Sequence, residues 1–110
     1  MEKIILIKRI YQTVSMEINK KELKADILKL AFDLEKQYAD LNFKHHCYLR
    51  IAYDAVAEDK WNNIIKSPFL NNCSLEELET VCSLLDCYTV NKNMLLKHNN
   101  YSLNYRKNEN

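Results

Sequence analysis

The stretch Lys44–Trp61, KHHCYLRIAYDAVAEDKW, decides how the chain is read. Wound into a helix, it is apolar in nearly every direction, through Cys47, Tyr48, Leu49, Ile51, Ala52, Tyr53, Ala55, Val56 and Ala57. One line is polar: His46, Arg50, Asp54 and Glu58, each four residues from the last. Residues four apart share a helix face. A helix this apolar belongs in the middle of a bundle or at an oligomer interface. The pattern runs on through Asn62–Lys66 to Pro68, which removes a backbone donor and turns Ser67 away from helix.

On the N-terminal side, Leu23, Ile27, Leu30, Leu34, Tyr38 and Leu41 recur at steps of three and four, with Asn19 placed as an N-cap. This predicts a helix from residue 20 to 41. Before it, Ile4, Ile7, Tyr11 and Val14 also fit one helical face. The run Ile4–Ile7 has β-branched character, but no second strand is visible to pair with it. Residues 1–15 are therefore read as a helix or an arm, with residues 16–106 as a single helical domain. Met16 is an alternative start for that domain.

On the C-terminal side, Ser67–Cys73 reads as a loop carrying Phe69 and Leu70. Ser74 and Glu77 then form an S-x-x-E capping box, and Leu75, Leu78, Val81, Cys82, Leu85 and Tyr88 line one face. Val90 and Asn91 break this helix. A last one sets Met94, His98, Tyr101 and Tyr105 on one side, and residues 107–110 form a frayed tail. The expectation is an all-α bundle of four to five helices with short loops and no sheet.

Composition supports this. The 110 residues suit one domain able to bury its own core, and 47% apolar against 28% charged residues argues against disorder. The chain has no glycine and one proline. Hairpin turns and glycine-rich phosphate loops are thereby disfavoured, and left-handed helix caps fall to asparagine. The net charge of +1 gives no global pull toward nucleic acid or an anionic membrane. No stretch approaches the length of a membrane helix, and no secretory signal is visible. The expected setting is cytoplasmic, with Cys47, Cys73, Cys82 and Cys87 as free, mostly buried thiols.

Several residues are candidates for chemistry. Arg50 has the geometry to clamp an anion such as a nucleotide, with Asp54 or Glu58 orienting it and His46 as acid or base. Tyr53 and Trp61 lie near that side for stacking on a planar ligand. Read as structure alone, the same line is the wet edge of a central helix. The triplet His45–Cys47 resembles metal ligands, but consecutive helical residues diverge and cannot meet on one ion, so neither metal nor cofactor is expected. One of the two histidines is expected to cap its helix. Tyr101, Tyr105, Arg106 and Lys107, with Lys97 and His98, offer an aromatic and basic surface to nucleic acid, or a hydrophobic stripe with solvated charges. If that helix packs on the central one, Tyr101 and Tyr105 close over Arg50. No nucleophile–base arrangement is apparent, which argues against an enzyme. The reading is a small non-enzymatic module that binds a protein partner. It would act as an adaptor or an inhibitor, as small phage proteins do, and self-associate through surplus apolar surface on the central helix.

Overall fold

The computed structural model describes the backbone of residues 2–107 and the side chains of residues 19–107. Among the described residues there are five α-helices and no strand: α1 (Glu2–Gln37), α2 (His45–Ala57), α3 (Phe69–Asn72), α4 (Leu75–Val90) and α5 (Lys92–Tyr105). Single 3-10 turns at Ala39–Leu41 and Trp61–Asn63 join them. The chain is an all-α bundle.

The two expected N-terminal helices are one. Asn19 does not cap anything, because the helix passes through it unbroken. A cap residue ends a helix only if the preceding backbone leaves helical geometry, and nothing before Asn19 forces that. The side-chain packing of residues 1–15 and the conformation of residues 108–110 lie outside the described residues.

From Leu23 onward α1 behaves as its periodicity requires. Ile27, Ala31 and Leu34 are fully buried, with Leu23, Leu30 and Tyr38 packed beside them. The opposite face carries Ala25, Lys29 and Lys36. Helix α1 packs on α4 and α2, and α2 also touches α5. The central position expected for α2 is therefore observed. Tyr48, Ile51, Ala52, Tyr53 and Asp54 are buried, and Leu49 and Val56 partly so. The surplus apolar surface expected on this helix is largely covered by the chain itself.

Helix α2 ends at Ala57, nine residues before the expected stop. Glu58 takes a left-handed conformation (φ 53°), and Trp61 donates its backbone N–H to the Asp54 carboxylate at 2.9 Å. A side-chain acceptor thus takes a backbone donor and turns the chain back. Asn42 holds the other left-handed position (φ 57°), in line with the expected use of asparagine. The expected histidine cap is absent. Lys44 is the N-cap of α2 without a side-chain bond, and the Glu35 carboxylate accepts the His45 N–H at 2.9 Å.

The expected Ser67–Cys73 loop contains a helical turn, α3. Phe69 in it is 2% exposed and stacks on Tyr53 with ring centroids 3.9 Å apart, while Trp61 meets both rings edge-on. Phe69, Tyr53 and Trp61 are a core triplet rather than a display. The remaining signals hold. Both arms of the Ser74–Glu77 capping box are made, and the Asn91 side chain accepts the Met94 N–H to start α5. The thiols are unpaired, but Cys73 alone is buried and Cys87 is exposed, which corrects the expectation of mostly buried cysteines.

The two faces of α1 give a direct test. Leu34→Ala opens a cavity in the core and should cost roughly 2–5 kcal/mol in urea denaturation. Lys36→Ala, on the outer face, should cost about 0.5 kcal/mol or less. Tyr48 sets the opposite sign. It is fully buried, its hydroxyl has no hydrogen-bond partner among the described residues, and burial pushes its pKa up to about 12. Tyr48→Phe removes that unsatisfied group and should leave stability unchanged or raise it by about 1 kcal/mol.

Candidate functional site: the α2–α5 clasp and the groove beside it

The polar line on α2 splits in two. Its middle members are buried against α5. Asp54 is fully buried, and its carboxylate receives four contacts from three donors. Oδ1 accepts the Trp61 N–H and an Arg106 guanidinium N–H, each at 2.9 Å. Oδ2 accepts the Ser102 hydroxyl at 2.5 Å and the same Arg106 nitrogen at 2.9 Å. Ser102, also fully buried, accepts in turn from Arg50 at 2.6 Å, and Arg50 donates to Asn99 at 3.0 Å. The expected Arg50–Asp54 pairing is not made. Asp54 pairs with Arg106, and Ser102 stands between Arg50 and the carboxylate.

This arrangement follows from burial. A carboxylate without water must be met by donors on most of its lone pairs. Three elements supply them: Arg50 through Ser102, the turn at Trp61, and the C-terminal end of α5. The positive charge of Arg106 also sits where the α5 dipole is negative. The clasp is therefore structural, and the reading of Arg50 and Asp54 as a wet edge is corrected. So is the reading of the Arg106 charge as solvated, since its side chain is only 24% exposed.

The ends of the line behave differently. His46 and Glu58 are exposed. His46 has no hydrogen bond or ion pair with the clasp among the described residues and meets the ring of His45 edge-on at 5.5 Å. Glu58 lines a groove of about 510 Å³ with Ala55, Thr80, Leu84, His98, Tyr101 and Tyr105. Tyr101 and Tyr105 thus open onto α4 and do not close over Arg50. They are 46% and 37% exposed. The Glu58 carboxylate has no hydrogen bond or ion pair among the described residues, and the Lys97 ammonium stands 5.8 Å from the centre of the Tyr101 ring.

The chemistry available is that of binding. The Ser102 hydroxyl is bonded to a carboxylate, yet it is buried, and among the described residues no imidazole is hydrogen-bonded to it. Burial raises the thiol pKa values of Cys73 and Cys82, away from thiolate character. Among the described residues no three His, Cys, Asp or Glu side chains come together to hold a metal, and no helix is long and apolar enough to cross a membrane. Sequence reasoning missed Ser102, Asn99 and the groove residues Thr80 and Leu84. Nothing local marks a serine as a carboxylate partner 48 residues away. Comparison with family models, curated proteins and solved structures gives no match.

His98 lines the same groove as Glu58. Its Nδ1 shares a 2.6 Å hydrogen bond with the Tyr88 hydroxyl, and Tyr101 stacks on it. Burial, and then the neighbouring Lys97 charge, push its pKa below the ordinary 6.5. A histidine held neutral by the fold takes up a proton more readily once unfolded. Its contribution is complete above pH 6.5 and is lost as the pH falls through the lowered folded value. The melting temperature should therefore fall between about pH 7.5 and 5, and fall less in His98→Gln.

The clasp predicts a hierarchy of losses. Asp54→Ala strands Arg106 and should cost roughly 3–5 kcal/mol. Arg50→Ala leaves the Asp54–Arg106 pair and should cost roughly 1–3 kcal/mol. Equal losses in the two variants, measured in urea, would contradict this division.

Proposed function

We propose that the chain is a small non-enzymatic interaction module that binds a protein partner, of the adaptor or inhibitor type. The observation that carries this reading is the groove beside the clasp. Two half-exposed tyrosines and Leu84 line it, and Glu58 supplies a charge with no ion pair among the described residues. Tyrosines with a wet hydroxyl and an apolar ring are favoured anchors at protein interfaces. Free cysteines, one of them exposed, fit a reducing, cytoplasmic setting.

The rival readings draw less support. An anionic ligand at His46, Arg50 and Asp54 would have to displace Ser102 and Asn99 from Arg50, and Asp54 is out of reach of solvent. Nucleic acid on the C-terminal helix would lose Arg106, which is engaged with Asp54, and would meet Glu58 in the groove.

Native mass spectrometry of the chain purified from its own host tests this. The expected result is a retained protein chain that is lost in Tyr101→Ala/Tyr105→Ala, with circular dichroism unchanged. A retained nucleotide, or a partner indifferent to both tyrosines, contradicts the proposal.

A further inference from the structure

The residues that line the groove between α2, α4 and α5 differ sharply in chemistry. Three are aromatic. Tyr101 and Tyr105 stand one turn apart on α5, and the His98 ring stacks on Tyr101 with centroids 6.3 Å apart. Leu84 and Ala55 add aliphatic surface. Glu58 is the one lining residue with a formal charge at neutral pH. Burial, and then the Lys97 charge, keep His98 neutral there.

Glu58 is unusual in two respects. It is exposed, and its carboxylate has no hydrogen bond or ion pair among the described residues. Its backbone is also left-handed, at φ 53° and ψ 34°. Asparagine and glycine enter that region more easily than glutamate does. No bond of the Glu58 side chain among the described residues offsets the strain. The cations of α5 are engaged elsewhere. Lys92 is paired with Asp40, and Arg106, the C-cap, with Asp54. The Lys97 ammonium stands 5.8 Å from the centre of the Tyr101 ring, and Lys97 does not line the groove. Helix α4, which supplies Leu84, carries Glu76, Glu77, Glu79 and Asp86 and no lysine or arginine.

We propose that the groove receives an arginine side chain of a partner protein, with Glu58 holding the guanidinium and the rings of Tyr101 and Tyr105 stacking on it. This rests on the interaction-module reading and adds the chemistry of the partner. Charge complementarity selects the occupant. A guanidinium is planar, bonds a carboxylate through two parallel N–H groups and stacks on aromatic faces. An ammonium is a compact, strongly hydrated charge and can do neither of the first two. The arginine methylenes would lie on the aliphatic surface of Leu84 and Ala55. An anionic segment would meet Glu58 and the acidic α4 instead.

The test is an NMR titration of the full chain at neutral pH with capped tripeptides that carry arginine, lysine or citrulline between two alanines. Citrulline has nearly the shape of arginine and no charge. The arginine peptide should shift Ala55, Tyr101 and Tyr105 in a saturable way. The lysine peptide should bind roughly threefold more weakly or worse, and the citrulline peptide should not saturate. Glu58→Asn should weaken arginine binding about tenfold or more, with the melting temperature unchanged or raised, because asparagine suits the left-handed position. Glu58→Gln, which keeps the length of the side chain, should weaken it likewise. No saturable shift at these residues, equal binding of citrulline and arginine, wild-type affinity in both Glu58 variants, or shifts centred on Asp26 and Asp86 overturns the proposal. A host protein that is lost in Tyr101→Ala/Tyr105→Ala but kept by both Glu58 variants overturns only the arginine assignment. Arginine binding as expected, with no host protein retained, overturns only the interaction-module reading.

Discussion

A carboxylate sits where water does not reach it, and the rest of the molecule is arranged around that fact. Asp54 is fully buried at the centre of the bundle. Left unpaired it would cost several kcal/mol, so the fold has to bring donors to it from three places. One is the turn at Trp61, which thereby fixes where α2 stops. Another is Ser102, which carries the Arg50 contact. The third is Arg106, the residue that follows α5. Beside these contacts, the one further side-chain hydrogen bond between α2 and α5 among the described residues is that of Arg50 to Asn99 at 3.0 Å.

The clasp also creates the surface proposed as functional. Holding α5 against α2 leaves Tyr101 and Tyr105 facing α4 across a gap that neither helix fills. The other end of α5 is tied separately, by Lys92 to Asp40 at 2.7 Å, which lowers the Asp40 pKa, and by the Asn91 cap. That exposed contact is weak on its own. Polar residues thus set the position of the helix, and aromatic residues are what it presents. A line of charges on a helix is read too readily as a reaction site when its first obligation is to its own desolvation.

How much of this was legible in the sequence depends on how local the cause is. The inner stripe of α1, the Ser74–Glu77 box and the Asn91 break are each settled within one or two turns, and all three were readable. The polar line His46, Arg50, Asp54 and Glu58 on α2 was visible too. Its meaning was not, because Ser102 and Arg106 stand 48 and 52 residues from Asp54. The early end of α2 was hidden for the same reason. Glu58 in a left-handed conformation carries no glycine or asparagine signal, and the Asp54–Trp61 contact that turns the chain is a tertiary consequence. Asn19 shows the converse error: a good cap residue where the backbone had no reason to stop.

The most direct test of the account is amide hydrogen exchange of wild type and Asp54→Asn at neutral pH. If the buried carboxylate holds α5 in place, protection should collapse in residues 92–105 and around the Trp61 turn, while the α1–α4 contact keeps its slow amides. Unchanged protection across α5 would mean that the helix is held by packing alone, and Asp54 would have to be read again as a site with a ligand of its own.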